Sequence, residues 1–549
     1  MMLPVMPKQT ASMLTRDGVR LDADIYRPDT EGEFPVLLMR QPYGRAIAST
    51  VVYAHPTWYA AHGYIVVVQD VRGRGSSEGE FKAFSQEIND GEDTINWVAN
   101  LPGSNGNVGM YGFSYQGMTQ LYAAASKHPA LKTICPAMVG YDLYTDWAYE
   151  GGAFCYQTNL AWAIQLATET AKRQGDERVY QALFTASRNL PIHNPELLKT
   201  FAPESFYHEW LHHYQPDGYW ENISPRKLLQ DVDLPMFHVG GWFDTYLRGT
   251  LNLYRDMAAR SRYRQQILVG PWAHLPWGRK VGEVDFGEQA MSPVDKMQLC
   301  WFEQYLKGVN TGLFETPPVW LFEMGTNFWQ GFSSFPSENQ KTFYLSSSGL
   351  AGMREDEGKL TIFLPDSSTS DVIVHDPWRP VLALGGHAAI PAGVFERSHL
   401  DCRSDVLTYT TEPLKADYYL AGEVAVEVYA SADHPSFDIC AVVSELLPDG
   451  RVYNITQGYV NCQDGTTNMA RKISLQSTCV RIAKGHALRL SLSASCFPAY
   501  GVNPGKGGNC HGVRGMDAQV ITLTVNSGKN SLSRLLLPIV AFSEEVQGF

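Results

Sequence analysis

The stretch Asn107-Val108-Gly109-Met110-Tyr111-Gly112-Phe113-Ser114-Tyr115-Gln116-Gly117 constrains this chain more than any other. A Gly/Asn turn precedes it, a short apolar run ends at Gly112, and a small-residue helical pattern, Met118 to Lys127, follows. The succession is strand, tight turn, helix. A serine between glycines at such a turn can be held on strained backbone, its hydroxyl exposed at the strand's carboxyl end where the next helix points its first N–H groups. Ser114 is therefore the candidate nucleophile. The usual pattern is Gly-x-Ser-x-Gly; here Gln116 stands where the second glycine would, and glycine arrives at Gly117. A serine in a glycine-rich turn is by itself as often a turn residue, so the chemistry has to be read from the rest of the chain as well.

Residues 11 to 27 alternate as a β-hairpin around Asp17-Gly18. Pro35 to Met39 and Tyr64 to Gln69 are continuous apolar runs, and residues 86 to 100 carry a helical pattern. Leu131 to Ala137, Leu234 to Asp244 and Gln266 to Gly270, the expected last strand, continue the series, and Asp295 to Lys307 forms a closing amphipathic helix. Buried runs alternating with helices predict a parallel sheet covered on both faces. From about 143 to 233, Trp, Tyr and Gln become frequent and β-branched runs vanish, as in a helical insertion. After about 338, short alternating segments such as Lys341 to Leu345, Leu360 to Leu364, Val406 to Thr410 and Ala487 to Leu492 predict an antiparallel β-sandwich. The expected class is α/β: a catalytic domain over 1–142 and 234–338, interrupted by a helical cap at 143–233, then an all-β domain over 339–549.

With 549 residues the chain exceeds a single core. Lys and Arg number 44 against 57 Asp and Glu, a formal charge of −13 that disfavours nucleic acid and anionic membrane as partners. The 28 Tyr, 24 Phe and 13 Trp suit enclosed apolar pockets. Met1 to Thr15 lacks the basic and apolar regions of a signal peptide, and no run of about 18 uncharged apolar residues occurs, so the chain reads as soluble and cytoplasmic. Nine cysteines without Cys-x-x-Cys spacing signal neither a disulfide framework nor a cysteine zinc site.

Asp244 directly follows one predicted strand and His274 lies in the loop after the next. Ser114, Asp244 and His274 thus occur in that order, each at a strand's carboxyl end, where open parallel sheets gather their sites. The intervals, 130 residues and 30, fit an insertion before the acid and one helix between acid and base. In these roles Ser114 attacks a carbonyl carbon, His274 takes its proton and returns one to the leaving group, and Asp244 fixes the imidazole tautomer. Taken singly, His274 could be a core histidine and Asp244 a strand-end cap; the conjunction is what carries the reading. An oxyanion needs two placed donors: the backbone N–H of Tyr115, and a group from the loop after the third strand, where Tyr43 offers its phenol.

Arg40-Gln41-Pro42-Tyr43, Gln69-Asp70-Val71-Arg72-Gly73 with Ser77-Glu78-Gly79-Glu80-Phe81, Gly106 to Met110 leading into Gly112-Phe113-Ser114-Tyr115, and Val269 to His274 together resemble the cocaine esterase family of α/β-hydrolases. That branch also holds α-amino acid ester hydrolases, cephalosporin acylases and X-prolyl dipeptidyl aminopeptidases. Its pattern is Gly-x-Ser-Tyr-x-Gly, which accommodates Gln116. The resemblance spans nearly the whole chain and implies an α/β-hydrolase domain, a helical cap, a C-terminal jelly roll, and serine esterase or amidase chemistry without metal or cofactor. It also implies that Tyr43 completes the oxyanion hole and that cap aromatics, matched to Trp147 and Trp162, line the acyl pocket with Tyr246 beside the acid; ordinary cap packing is the plainer account of those three. The carboxylate cluster expected of α-amino acid ester hydrolases finds no match, so amino-acid substrates are less favoured.

The expected function is hydrolysis of a small-molecule carboxylic ester or amide through an acyl-enzyme on Ser114. An amidase, an acylase or an X-prolyl dipeptidyl aminopeptidase of the same family is the alternative, as is a carbohydrate-binding protein with an inactive hydrolase domain. A homo-oligomer is compatible with all of these. Two further motifs compete. His208-Glu209-Trp210-Leu211-His212 matches His-Glu-x-x-His, without a clear third zinc ligand downstream. The run Arg72-Gly73-Arg74-Gly75-Ser76-Ser77-Glu78-Gly79 lacks the spacing of a nucleotide-binding loop and reads as a structural turn, with Asp70 and Arg72 expected to pair.

Overall fold

The computed structural model describes residues 2–46, 50–188, 196–336, 339–509 and 511–540. Ten strands make one central sheet: β1 (Gln9–Leu14), β2 (Arg20–Tyr26), β3 (Phe34–Gln41), β4 (Ile65–Asp70), β5 (Ser104–Phe113), β6 (Leu131–Ala137), β7 (Met236–Phe243), β8 (Gln265–Ala273), β9 (Val319–Glu323) and β10 (Phe328–Phe332). They lie side by side in the order β1-β2-β4-β3-β5-β6-β7-β8-β9-β10. Strands β3 to β9 run parallel, and antiparallel strands finish both edges.

Period-2 alternation divides the core between the two faces of this sheet. Val36, Leu38, Ile65, Val67, Val108 and Met110 pack with Ile95 and Val98 of helix Glu87–Ala99 and Met118 and Leu121 of helix Tyr115–Ala125. Leu37, Met39, Val66, Val68 and Tyr111 face the other way, towards Tyr59 of helix Pro56–Ala61 and Trp301 and Phe302 of helix Val294–Lys307. Because the central strands are parallel, the loops after β3, β5, β7 and β8 open on one edge.

The sheet does not end at β8, as the sequence pattern implied. After helix Val294–Lys307 the apolar run Val319-Trp320-Leu321-Phe322 pairs parallel to β8 (Ile267 opposite Val319), and β10 folds back on it. Residues 144–228 carry helices Tyr156–Gln174, Glu177–Ser187, Phe206–His212 and Gly218–Ile223 among shorter ones, entered through a π-helical turn, Tyr144–Ala148, and a two-rung hairpin, Tyr149–Glu150 with Ala153–Phe154. From Asn339–Ser346 to Arg534–Ile539 thirteen strands build the β-sandwich. There Leu360 to Leu364 is strand only as Lys359–Thr361, with Phe363 74% exposed, so the apolar composition of that run does not translate into burial.

One apolar core continues from the sheet into the sandwich, joining Trp242, Phe322 and Trp329 to Leu345, Leu420 and Val480. The backbones meet as well, where Arg481 donates to Met324 O and Met324 to Cys479 O. The sandwich is therefore fixed against the edge of the sheet that carries the site. Among the described residues, no helix is long and apolar enough to cross a membrane.

Candidate active site

Ser114 occupies the hinge between β5 and helix Tyr115–Ala125, with φ +59° and ψ −129°. A non-glycine residue held there stores about 1–3 kcal/mol of backbone strain, which its surroundings must over-determine. Hydrogen bonds from Ser114 N to Ala137 O (3.0 Å) and from Met118 N to Ser114 O (2.9 Å) hold it. The displaced glycine is explained by packing. A Cβ at Gly112, where φ is +142°, would meet Gln116 Cβ at 2.5 Å; a Cβ at Gly117 would meet Val139 Cγ1 at 2.4 Å. The side chain at 116 thus demands glycine at 112, and the close approach of helix to β6 demands it at 117. Ser114 makes no side-chain cap, and the Tyr115 N–H is the first in its helix, without a partner carbonyl one turn back.

Asp244 follows β7 and is fully buried; His274 follows β8. Between them runs a 2.7 Å hydrogen bond from Nδ1 to Asp244 Oδ1. That bond sets the tautomer, because Nδ1 carries the proton given to the carboxylate and Nε2 is left as the basic nitrogen. Asp244 Oδ2 has no hydrogen-bond partner among the described residues. The imidazole is wedged between Phe113 and Tyr246, with ring centroids at 5.3 and 5.2 Å, and its backbone carbonyl accepts from the Trp277 indole at 3.1 Å.

The loop after β3 carries Tyr43 and is built from polar contacts. Tyr43 N donates to Gln41 Oε1 (2.8 Å), and Gln41 Nε2 donates to the buried Asp70 (2.8 Å). Arg74, 2% exposed, donates from Nε to Pro42 O (3.0 Å) and from Nη1 to Leu166 O (3.2 Å) and Thr170 Oγ1 (3.0 Å), and it pairs with Glu169. One guanidinium therefore straps this loop to cap helix Tyr156–Gln174. Burial raises the Tyr43 phenol to about 12 even though the Trp162 indole and the Ser114 hydroxyl beside it pull the other way, so it remains a proton donor at any working pH. The Tyr115 phenol faces away, donating to Glu87 Oε1 (2.9 Å) and accepting from Phe84 N (3.1 Å), which leaves only the backbone of Tyr115 near the serine.

Ser114, His274, Tyr43, Gln116, Trp147, Trp162 and Tyr246 line one cavity of about 410 Å³. Trp147, on the π-helical turn, stacks on Tyr246 at 3.9 Å and 15°, and Trp162 lies edge-on to Trp147. Among the described residues, both indole N–H groups are buried without a well-aligned acceptor. An adjoining space of about 680 Å³ shares His274, Tyr246, Thr158, Leu275 and Ile390 and extends to sandwich residues Ala389 and Phe395. The imidazole therefore stands between an aromatic chamber under the cap and an apolar one under the sandwich.

Several supporting residues were not singled out from the sequence. Arg40 donates to Gln69 Oε1 (2.8 Å) and Glu87 Oε2 (2.7 Å), joining the end of β3 to the carboxylate that holds Tyr115. Arg40 and Gln41 stand within the quoted run Arg40 to Tyr43; Glu87 and Glu169 carry no local signal. The expected pairing of Asp70 with Arg72 is wrong. Asp70, last residue of β4, takes Gln41 and Arg45, while Arg72 clamps Asp90 (2.7 and 2.9 Å) and Asp17 (2.7 and 2.8 Å). Arg45, from the loop after β3, occupies Asp70, while Asp17 in the β1–β2 turn and Asp90 on helix Glu87–Ala99 take Arg72. His208 and His212 do fall on one helix, Phe206–His212, but His208 Nε2 lies 3.2 Å from Ala202 O, which commits that nitrogen as a donor. Among the described residues, no three His, Cys, Asp or Glu side chains converge as a ligand set.

Residues 17–276 match the X-Pro dipeptidyl-peptidase (S15 family) model, and residues 311–520 match the X-Pro dipeptidyl-peptidase C-terminal non-catalytic domain. The chain is 29% identical to the cocaine esterase of Rhodococcus sp. (strain MB1 Bresler), over 96% of this chain and 97% of that protein. In structure it superposes on an aminopeptidase from a marine sediment archaeon, Thaumarchaeota archaeon, with a TM-score of 0.83, and on an α-amino acid ester hydrolase with 0.80. Each is 23% identical and is matched over 98% of this chain and 97% of the other, a likeness of fold.

Proposed function

The chain belongs to the family that joins X-Pro dipeptidyl-peptidases to cocaine esterase and is a hydrolase, and from that premise we propose that it cleaves carboxylic esters through an acyl-enzyme on Ser114. The observation that carries the reading is the 2.7 Å bond from His274 Nδ1 to Asp244 at the rim of the cavity that also holds Ser114 and Tyr43. In this mechanism Ser114 Oγ attacks the ester carbonyl carbon and passes its proton to His274 Nε2. The imidazolium is stabilised by Asp244 and protonates the departing alkoxide. Negative charge on the former carbonyl oxygen is met by the Tyr43 phenol and the Tyr115 N–H. Water, deprotonated by the same imidazole, then attacks the acyl-enzyme, and the carboxylic acid leaves.

Trp147, Trp162 and Tyr246 fit an apolar or aromatic acyl group. The described residues lining the cavity include no carboxylate. An aminopeptidase reading, raised by the S15 match and the archaeal neighbour, requires a counter-charge for the substrate's N-terminal ammonium, so a neutral acyl group is favoured.

A fluorophosphonate probe tests this reading. Mass spectrometry is expected to place the label on Ser114, and a p-nitrophenyl ester series is expected to turn over faster than aminoacyl-proline amides. Label at another residue, or undiminished ester turnover by Ser114→Ala, overturns it.

A further inference from the structure

A second cavity, of about 220 Å³, opens between the cap and the sandwich and shares no lining residue with the two chambers around His274. Five rings form much of its wall: Tyr149 and Phe154 of the cap hairpin, Tyr156 at the start of the long cap helix, Tyr207 and Tyr214. They brace one another, with Tyr149 and Phe154 at 5.2 Å and Phe154 and Tyr207 at 5.6 Å between centroids. To the same lining the sandwich contributes Asp438, second residue of strand Phe437–Leu446 and 2% exposed.

The partners of Asp438 are all neutral. Oδ1 accepts from Asn461 Nδ2 (2.7 Å) and Asn503 Nδ2 (2.8 Å), and Oδ2 accepts from the Tyr459 phenol (2.8 Å). Among the described residues, no lysine or arginine lines the cavity and Asp438 forms no ion pair. Burial raises its pKa to about 6 against the pull of those three donors, which leaves it ionised at neutral pH. His511, on the same wall, is lowered to about 4 by burial and supplies no positive charge. The amides are also locked: Asn503 Oδ1 accepts from Ser436 and from Gly505 N, each at 2.9 Å, so its NH₂ group faces the carboxylate. NH₂ groups at that position suit an anion already present and are the wrong polarity for a metal ion beside it.

A buried carboxylate without a cation is costly, and five aromatic rings, whose π-systems attract cations, line the same space. We propose that this cavity is a second, non-catalytic binding site for a small organic ammonium ion, held by Asp438 at its charged centre and by the tyrosine and phenylalanine rings at its alkyl groups. Charge attraction and cation–π contact act together there, and each gains strength where water is excluded.

The test is binding of choline to the full chain near neutral pH, followed by calorimetry, with 3,3-dimethyl-1-butanol as the uncharged isostere. Choline is expected to bind with unit stoichiometry and the alcohol not at all. Asp438→Asn is expected to weaken choline at least about tenfold, and the wild-type affinity is expected to fall as pH drops through about 6. Tyr207→Leu, which opens the ring wall and leaves the carboxylate in place, is expected to weaken choline as well, and it serves as the test if the Asn variant does not fold. Equal binding of the alcohol, undiminished choline binding by the folded variants, or no choline binding by wild-type protein at about 100 mM overturns the proposal. Because the readout is binding alone, it stands or falls apart from the acyl-enzyme reading.

Discussion

The cavity that holds Ser114 and the cap–sandwich cavity flank one stretch of chain, residues 147 to 162, yet each treats a buried aspartate differently. Asp244 hands its charge to His274 within the protein. Asp438 faces only neutral donors. Between them Glu150, 6% exposed, offers a third solution: its carboxylate meets His387 Nε2 (2.8 Å), Arg248 (3.3 Å) and Tyr500 Oη (2.5 Å). Those partners come from the sheet's helix Leu247–Arg260 and from the sandwich, so one carboxylate from the cap ties three parts of the fold together. A buried acid that the protein neutralises is machinery or masonry, whereas one it leaves unneutralised is available to something from outside.

The contrast can be broken most sharply at the serine. Ser114→Ala is expected to lower kcat on a p-nitrophenyl ester by at least about 10⁴-fold with folding intact, measured by steady-state kinetics beside circular dichroism. Asp244→Asn preserves shape and removes the charge paired with the imidazole; a loss of about 10⁴-fold in kcat is expected, and a loss under tenfold would mean that the carboxylate does not orient His274. Tyr43→Phe deletes one oxyanion donor and is expected to cost about 10²- to 10³-fold in kcat with KM little changed. Since that phenol is held near 12, no acid or base limb belonging to it is expected in the pH–rate profile up to about pH 10.

Smaller effects fall on stability. Glu150→Gln is expected to destabilise by about 3 kcal/mol in urea unfolding, since it removes the carboxylate from a buried network and leaves the Arg248 guanidinium without its counter-charge. The pH dependence separates Glu150 from Asp438. Burial pushes the Glu150 pKa up, but His387 and Arg248 outweigh it and hold it at about 2. Its stabilisation is complete above the ordinary glutamate value, near 4.5, and is lost as pH falls towards about 2. For Asp438, raised to about 6, the sign reverses: stability on the order of 2–3 kcal/mol is present below about pH 4 and lost as pH rises to about 6. Asp438→Asn is expected to flatten that rise-linked loss, and Glu150→Gln the acid limb, in urea titrations across the two windows.

Much of the candidate site was read from signals that are local. Ser114 is announced by a strand, a turn and a helix within eleven residues, and Asp244 and His274 by strand ends at the right places in the order. Tyr43 needed the family resemblance as well as its position, since a loop tyrosine alone carries little. What could not be read is pairing over distance. Arg72 prefers Asp17 and Asp90 to the nearby Asp70, and Arg74 reaches Glu169 across 95 residues. The strands after β8 were missed because the connection through helix Val294–Lys307 carries no mark distinguishing an ending from a pause.

By itself, the amino-acid sequence determined the alternation of buried strands and helices, the hinge at Ser114 and the chain order of Ser114, Asp244 and His274 at strand ends, because these depend on backbone geometry and side-chain periodicity over a few residues. Only the tertiary structure decided which charges are matched. That Glu150 meets His387 and Arg248 while Asp438, among the described residues, meets only neutral donors depends on what the sheet, the cap and the sandwich bring to one point, and the energy of a buried charge is set by neighbours within a few ångströms, however far along the chain they lie.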